Sequence, residues 1–292
     1  MSEEATVVIV GAINTYDIYD VAAMPSPGET VTGATYHKAG GGKAANMAVS
    51  AAAHKVATSL VGAVGTDSTG EEALAELIRL GVGVEDIVRV DEPTGRAAVI
   101  SAPGENLIAV ASGANAGLDP AHVGAAIGRH SGVPAGTCLL SGEVSDDVLI
   151  AAATAATDAG FEIIYNAAPA RPLPDRLAAA KPIVIVNQLE SRQLSGHIDP
   201  LEAARWLRER YRVGVVTLGS DGVVVSSIDG LVEYSANVID VVDTTGAGDA
   251  FCGAVAAVLT RTQNLGAALH AGIAAGARAA SHAGARAWVQ GS

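Results

Sequence analysis

The run Asp243–Phe251 combines two glycines with two carboxylates at the start of an amphipathic helical segment. Gly246 and Gly248 flank Ala247 and let the backbone turn several N–H groups towards one point. There the helix N-terminus adds partial positive charge, which favours an anion. A carboxylate beside that anion, at Asp249, is favourable when it accepts a proton from an attacking hydroxyl. The pattern predicts phosphoryl transfer with Asp249 as general base, and an ordinary helix cap is the alternative.

A second glycine-rich segment, Ala39–Asn46, opens another helical segment. It is not a Walker A loop, because it lacks the first glycine of that motif and has Ala44 where Ser or Thr is needed. Glycines such as Gly42 would instead let a small polar ligand touch the backbone. Lys43 and Asn46 lie one helical turn apart and can face the same ligand. The alternative is a glycine-rich turn with a solvated lysine.

A third group of polar residues follows the first apolar run, Thr6–Val10. Ligands of open α/β sheets collect at the carboxyl ends of the strands. We therefore expect Asn14, Tyr16 and Asp17 to lie near a substrate.

The elements that must position these residues alternate between short apolar runs and helical segments. This alternation predicts one α/β domain over residues 1–292, with a doubly wound, mostly parallel sheet sandwiched by helices. Two stretches, residues 29–38 and 96–112, are rich in Thr, Val, Ala and Gly and break the alternation. They predict antiparallel strands that form a lid over the substrate, with a hairpin turn at residues 103–106. An edge extension of the main sheet or an oligomer contact is the alternative.

Composition narrows the classes of partner and the compartment. Hydrophobic residues make up 49% of the chain and aromatic residues 3%, so the core must consist of Ala, Val, Leu and Ile. A net charge of −13 argues against nucleic acid and anionic membranes as partners. No apolar run reaches the roughly 18 residues of a membrane span, and the N-terminus predicts a cytoplasmic protein. The acidic, Lys-poor composition indicates a halophilic host or a codon bias.

Together these residues resemble the ribokinase family, also called the PfkB sugar kinases, along nearly the whole chain. The resemblance implies a ribokinase-like α/β fold with a small β lid. It also implies transfer of the γ-phosphate of ATP to the 5-hydroxymethyl of a ribose-type acceptor. The matching segments are Gly11–Asn14, Pro27–Thr30, Gly40–Asn46, Thr94-Gly95, Asn166 with Pro169–Arg171, Asn187 with Glu190, Thr217–Gly219 with Gly222, and Asp243–Asp249.

The resemblance implies roles for residues at the matching positions. Asp249 corresponds to the catalytic base and the turn Gly246-Ala247-Gly248 to its anion hole. The sugar contacts correspond to Asn14, Gly42, Lys43, Asn46 and Glu143. The residues that bind ATP and Mg²⁺ in the family correspond to Asn187, Glu190, Thr217 and Gly219, and Glu190 would act on Mg²⁺ through water. A K⁺ site corresponds to Asp243, Thr245 and the backbone near Ala279, His282 and Gly284.

Two departures from the family pattern concern the acceptor. Tyr16 stands where ribokinases carry an Asp that grips the sugar diol, and Asp17 follows one residue later. A phenol cannot make that bidentate ionic contact. Arg96 replaces a usual apolar residue in the lid and favours a phosphate, with a solvated charge as the alternative. We therefore expect a ribofuranose substituted at C1, with ribose 1-phosphate ahead of nucleosides and free ribose behind.

Other functions remain open from the sequence. A nucleoside kinase would explain Tyr16 alone, and a non-catalytic sugar or nucleotide sensor would not need Asp249 and Lys43. The donor is ATP or ADP. An uncovered lid sheet would favour a homodimer.

Overall fold

The structure is a computed structural model that describes residues 5–103 and 105–289. Within these ranges the chain forms thirteen strands, in two sheets. The strands are β1 (Thr6–Val10), β2 (Asn14–Asp20), β3 (Thr35–Gly41), β4 (Ala57–Gly65), β5 (Ile87–Val90), β6 (Gly95–Ala102), β7 (Glu105–Ala111), β8 (Gly136–Ser141), β9 (Glu162–Asn166), β10 (Ile183–Asn187), β11 (Val213–Thr217), β12 (Val223–Ser227) and β13 (Gly230–Tyr234).

The main sheet has nine strands in the order β13-β12-β11-β10-β9-β8-β1-β4-β5. All neighbours are parallel except the pairs β11/β12 and β12/β13, which are antiparallel. The predicted α/β class, with a mostly parallel sheet between helices, is therefore confirmed.

Helices cover both faces of the main sheet. They are α1 (Lys43–Ala53), α2 (Ser68–Arg79), α3 (Pro120–Arg129), α4 (Asp146–Asp158), α5 (Asp175–Ala179), α6 (Gln188–Ser195), α7 (Pro200–Arg210), α8 (Ala247–Thr262) and α9 (Leu265–Ala280). Alternate residues of β1 enter opposite cores: Val7 and Ile9 pack on the side of α1 and α8, and Val8 and Val10 on the side of α3 and α4. The central strands are continuously apolar because both of their faces are buried. None of the described helices is long and apolar enough to cross a membrane.

The second sheet, here called the lid sheet, has the order β3-β2-β6-β7. The sequence predicts its first strand at residues 29–38, whereas β3 begins only at Thr35. Gly28 and Gly33 adopt positive φ angles of 85° and 83°, which interrupt an extended strand before that point. β2 was not predicted as a strand. β6 and β7 pair antiparallel as expected, and Gly104 of the predicted turn lies outside the described residues.

Hydrogen bonds connect the start of β6, in the lid sheet, to β4 and α2 of the main sheet and its helices. The side chain of Asp67 caps α2 by accepting from the Gly70 N–H at 2.8 Å. It also accepts from the Thr94 hydroxyl at 2.6 Å, and that hydroxyl accepts from the Gly65 N–H at 2.9 Å. These bonds join the end of β4, the start of α2 and the residue before β6. Burial would raise the pKa of Asp67, but the bonds from Thr94 and Gly70 hold it below its ordinary value.

Candidate active site

Asp249 is the most deeply buried carboxylate of the predicted site, with 8% of its surface exposed. It lies in the first turn of α8, three residues after the N-cap Gly246, which has a φ of 75°. The Asn46 amide donates from Nδ2 to Oδ2 of Asp249 at 2.8 Å. Burial raises the pKa of Asp249, and the positive charge of Lys43 and the bond from Asn46 limit that rise. A base that is buried but still able to ionise is suited to proton transfer near neutral pH.

Lys43 and Glu143 interact electrostatically with each other and with Asp249. The backbone N–H of Lys43 donates to Oε2 of Glu143 at 2.8 Å. Burial alone would lower the pKa of Lys43, but Asp249 and Glu143 raise it above its ordinary value. Burial raises the pKa of Glu143 to about 7, although the Lys43 backbone bond and ammonium oppose that rise. The ammonium therefore stays charged and balances Asp249.

Asn14 is held by a residue that the sequence analysis missed, Asn115. The Nδ2 group of Asn115 donates to Oδ1 of Asn14 at 2.9 Å, while its Oδ1 accepts from the Ile13 N–H at 2.8 Å. The bond holds Asn14 through its Oδ1 atom and does not use the NH₂ group of Asn14. A Cβ on Gly95 would lie 2.1 Å from Oδ1 of Asn14, which explains the Thr94-Gly95 motif. In the sequence, the only signal for this role is that Asn115 stands within the small-residue stretch Gly113–Gly117.

Tyr16 faces the same site from β2. Burial raises the pKa of its phenol, and the carboxylates of Asp249 and Glu143 raise it further. A neutral hydroxyl therefore stands where ribokinases carry a carboxylate. A Cβ on Gly41 would lie 2.3 Å from the Tyr16 ring. The ring can hold this position because residue 41 is a glycine.

Arg96 and Asp17 lie on the opposite face of the lid sheet. Side chains alternate along a strand, so Asp17 points away from the face of Asn14 and Tyr16. Nη2 of Arg96 donates to the Thr69 hydroxyl at 2.7 Å, and Nη1 lies 3.5 Å from Oδ2 of Asp17. Among the described residues, Arg96 contacts Asp17 and Thr69 and has no contact with Asp249. These contacts do not support the prediction that Arg96 holds a phosphate in the site.

Asn187 and Glu190 lie at the carboxyl end of β10 and form a reciprocal cap of α6. Oε2 of Glu190 accepts from the Asn187 N–H, and Oδ1 of Asn187 accepts from the Glu190 N–H, both at 2.8 Å. This cap gives both residues a structural role and does not use Oε1 of Glu190, a residue that is partly exposed. Thr217 ends the neighbouring strand β11, and Gly219 follows with a φ of 60°. A carboxylate with access to water suits Mg²⁺, which keeps much of its hydration shell.

Asp243 connects the loop before α8 to the segment after α9. Its Oδ1 accepts from the Thr245 N–H and its Oδ2 from the Gly284 N–H, both at 2.9 Å. Burial would raise its pKa, but these bonds hold it below the ordinary value. Ala279 and His282 lie in the same C-terminal region, where the His282 N–H donates to the Ala279 carbonyl at 3.1 Å. The polar contacts of this region use carboxylate and carbonyl oxygens, the atom type that a hard cation binds.

Comparisons with known proteins agree with this geometry. The family model of the pfkB family carbohydrate kinases matches residues 4–290. The chain is 33% identical over 274 residues to the ribokinase of Mus musculus, covering 90% of this chain and 84% of that protein. It is 30% identical over 292 residues to the ribokinase of Haemophilus influenzae, covering 96% and 94%. The solved structure of Arabidopsis thaliana ribokinase complexed with ribose and ATP superposes with a TM-score of 0.87 at 28% identity, covering 98% of this chain and 95% of that one.

The fold and the site together define a sugar kinase, a phosphotransferase that uses ATP. The chain belongs to the pfkB family of carbohydrate kinases and is of the ribokinase type within it.

The raised pKa of Glu143 predicts a pH-dependent stability. Between its ordinary pKa of 4.5 and about 7, the folded state holds a proton that the unfolded state has released. This stabilisation is complete below that range and is lost as the pH rises through it. The Tm of the wild type relative to Glu143→Gln should therefore fall by a few degrees between pH 4.5 and pH 8, on the order expected for 1 kcal/mol or more.

Thermal unfolding at several pH values measures this difference. Glu233→Gln, which neutralises an exposed carboxylate on β13, is the control and should give no such trend. Parallel Tm curves for the wild type and Glu143→Gln would contradict the prediction.

Proposed function

We propose that the chain transfers the γ-phosphate of ATP to the 5-hydroxymethyl group of a ribofuranose, with Asp249 as general base. The observation that carries this proposal is the buried Asp249, oriented by Asn46 directly after the turn Gly246–Gly248. The acceptor hydroxyl gives its proton to Asp249 as its oxygen bonds to the γ-phosphorus, and the bond to ADP breaks. The N–H groups of the turn stabilise the charge on the transferred group. Glu190 would hold Mg²⁺ through water, and the bound ion would neutralise phosphate charge.

Asp249→Asn removes the base without changing the shape of the side chain. We expect kcat to fall by about 10²- to 10⁴-fold, the usual contribution of a general base, while ATP binding persists. Initial rates and ATP affinity of the purified variant measure both quantities. Asp229→Asn, in the exposed turn after β12, is the matched control. Near-normal turnover of Asp249→Asn would remove this residue from the mechanism.

The acceptor that we propose is a ribofuranose substituted at C1. Tyr16 supports this choice, because a neutral phenol cannot grip the diol of a free sugar as a carboxylate does. Arg96 does not support this choice, since its guanidinium is held by Thr69 and Asp17 on the other face of the lid sheet. Ribose 1-phosphate and nucleosides are the two members of this class to be compared.

Tyr16→Asp should shift the preference towards free D-ribose. A hydrogen bond to a charged group is worth about 1.5–3 kcal/mol, so we expect kcat/KM for D-ribose to rise by about tenfold or more. Kinetics with D-ribose, ribose 1-phosphate and adenosine measure this preference for the wild type and the variant. Arg96→Ala is the control and should change all three acceptors little. A wild-type preference for free ribose would contradict the proposed acceptor.

A K⁺ site beside the anion hole is also proposed, on the residues Asp243, Thr245, Ala279, His282 and Gly284. Asp243 supports it, because its two oxygens draw the loop before α8 and the segment after α9 together. We expect the rate to be higher in K⁺ than in Na⁺ or a bulky organic cation at equal ionic strength. Asp243→Asn should weaken this dependence. Equal rates in all three salts would argue against the site.

We also propose a homodimer formed through the lid sheet. Its outer strand β7 is exposed along its whole length, and its apolar side chains Leu107, Ile108 and Val110 are each more than half exposed. Such a patch marks an interaction surface more often than a free one. Ile108→Asp should give monomers in analytical ultracentrifugation, whereas Ile228→Asp, on an exposed turn elsewhere, should not. A monomeric wild type would exclude the dimer.

A further inference from the structure

Arg286 places a buried guanidinium beside the catalytic residues. It lies after α9 with only 5% of its surface exposed. Its Nε donates to Oδ1 of Asn46 at 2.8 Å, its Nη1 to Oε2 of Glu76 at 2.6 Å, and its Nη2 to the Gly41 carbonyl at 2.8 Å. A buried charge is costly unless it is paired and fully hydrogen-bonded, and these three partners meet that demand.

The bond to Asn46 determines which way its amide points. The two ends of an amide have nearly the same shape, so packing alone does not select one orientation. A guanidinium has only donors, and it therefore turns Oδ1 of Asn46 towards itself. The NH₂ group is then directed at Asp249, where it donates to Oδ2. The flipped amide would set an oxygen against the carboxylate and a donor against the guanidinium.

The same side chain also holds the glycine loop at the end of β3. The Gly41 carbonyl accepts from Nη2, and a Cβ on Gly40 would lie 2.2 Å from Nη1 of Arg286 and 2.1 Å from Oε2 of Glu76. A side chain at residue 40 would displace the ends of Glu76 and Arg286 from these positions. Arg286 thus joins the lid strand β3, the helices α1 and α2, and the segment after α9 at one point.

We propose that Arg286 is a positioning residue for phosphoryl transfer, which locks the Asn46 amide in the orientation that aligns Asp249 with the acceptor hydroxyl. The inference rests on the proposed role of Asp249 as general base. Glu76 balances the charge of Arg286 and has no part in orienting the amide. No local pattern in the sequence marks this role, because Asn46 lies 240 residues before Arg286 in the chain.

Arg286 also affects how readily Asp249 ionises. The other titratable groups that face Asp249 are Tyr16, Lys43, Glu143, Glu190 and Cys252. Among these and Arg286, the cations are Lys43 and Arg286, and both favour the carboxylate. Loss of Arg286 should therefore raise the pKa of Asp249 and move the acid limb of kcat/KM to higher pH.

Arg286→Gln and Arg286→Lys test the proposal, with MgATP and whichever of D-ribose and ribose 1-phosphate the wild type turns over faster. A small misalignment of a catalytic group can cost about 10- to 100-fold, so we expect kcat to fall at least tenfold in Arg286→Gln. The KM for MgATP should stay within about twofold of the wild type, because this role does not involve nucleotide binding. Lysine should not restore kcat, because one ammonium keeps the charge but cannot make three bonds in fixed directions.

Glu76→Gln is the matched control, since its amide oxygen can still accept from Arg286. It should lower the Tm but leave kcat within about threefold, because the bond from Nε to Asn46 is kept. If Arg286→Gln does not fold, the double variant Glu76→Gln/Arg286→Gln removes the unbalanced carboxylate and should show the same loss of kcat. In an Asn46→Ala background, the further change Arg286→Gln should have little additional effect on kcat.

Three results would overturn the proposal: wild-type kcat in Arg286→Gln or the double variant, full rescue by lysine, or an equal loss in Glu76→Gln. Asp249→Asn, assayed in parallel, separates this failure from failure of the proposed function. If Asp249→Asn is active, the base is assigned wrongly. If it is inactive while Arg286→Gln is normal, only the role of Arg286 is wrong.

Discussion

The hydrogen bond from Asn46 to Asp249 is the contact on which the site depends. A carboxylate that is 8% exposed would remain protonated if it were only buried, and a protonated carboxyl cannot act as a base. Asn46 and Lys43 supply the bond and the charge that favour its ionised form. Both come from the first turns of α1, so the position of that helix against α8 determines whether the base can work.

That requirement explains why glycine recurs around the site. α1 and α8 can approach closely only where their contacts are small: a Cβ on Gly253 would lie 2.2 Å from the Met47 carbonyl. At Gly42 a Cβ would lie 2.4 Å from the Ala12 carbonyl, and the residue adopts a φ of 86°. The glycines therefore serve the packing of backbone on backbone as well as the approach of a ligand. The low aromatic content fits the same design, since small apolar side chains allow short distances between helices.

Much of the fold and the centre of the site could be predicted from the sequence, because both depend on local patterns. Continuous apolar runs predict the parallel strands, and the two glycine motifs predict Lys43, Asn46 and Asp249. The sequence could not predict which face of a strand a side chain lies on, or which distant residue it contacts. Asp17 follows Tyr16 directly in the chain, yet the alternation of a strand sends their side chains to opposite faces. Asn115 and Arg286 act through residues about 100 and 240 positions away, and no local pattern marks such pairs.

The segment after α9 is synthesised later than the residues that Gly284 and Arg286 contact. Every described strand of both sheets precedes Asp243, whereas Gly284 and Arg286 follow the last long helix. A growing chain on the ribosome can therefore assemble both sheets, and even expose Asp249, before the guanidinium that braces Asn46 has emerged. Until then the Asn46 amide has no guanidinium to hold its orientation. The contacts of Gly284 and Arg286 are therefore the last of the site to form, and they close it against parts of the chain that were made first.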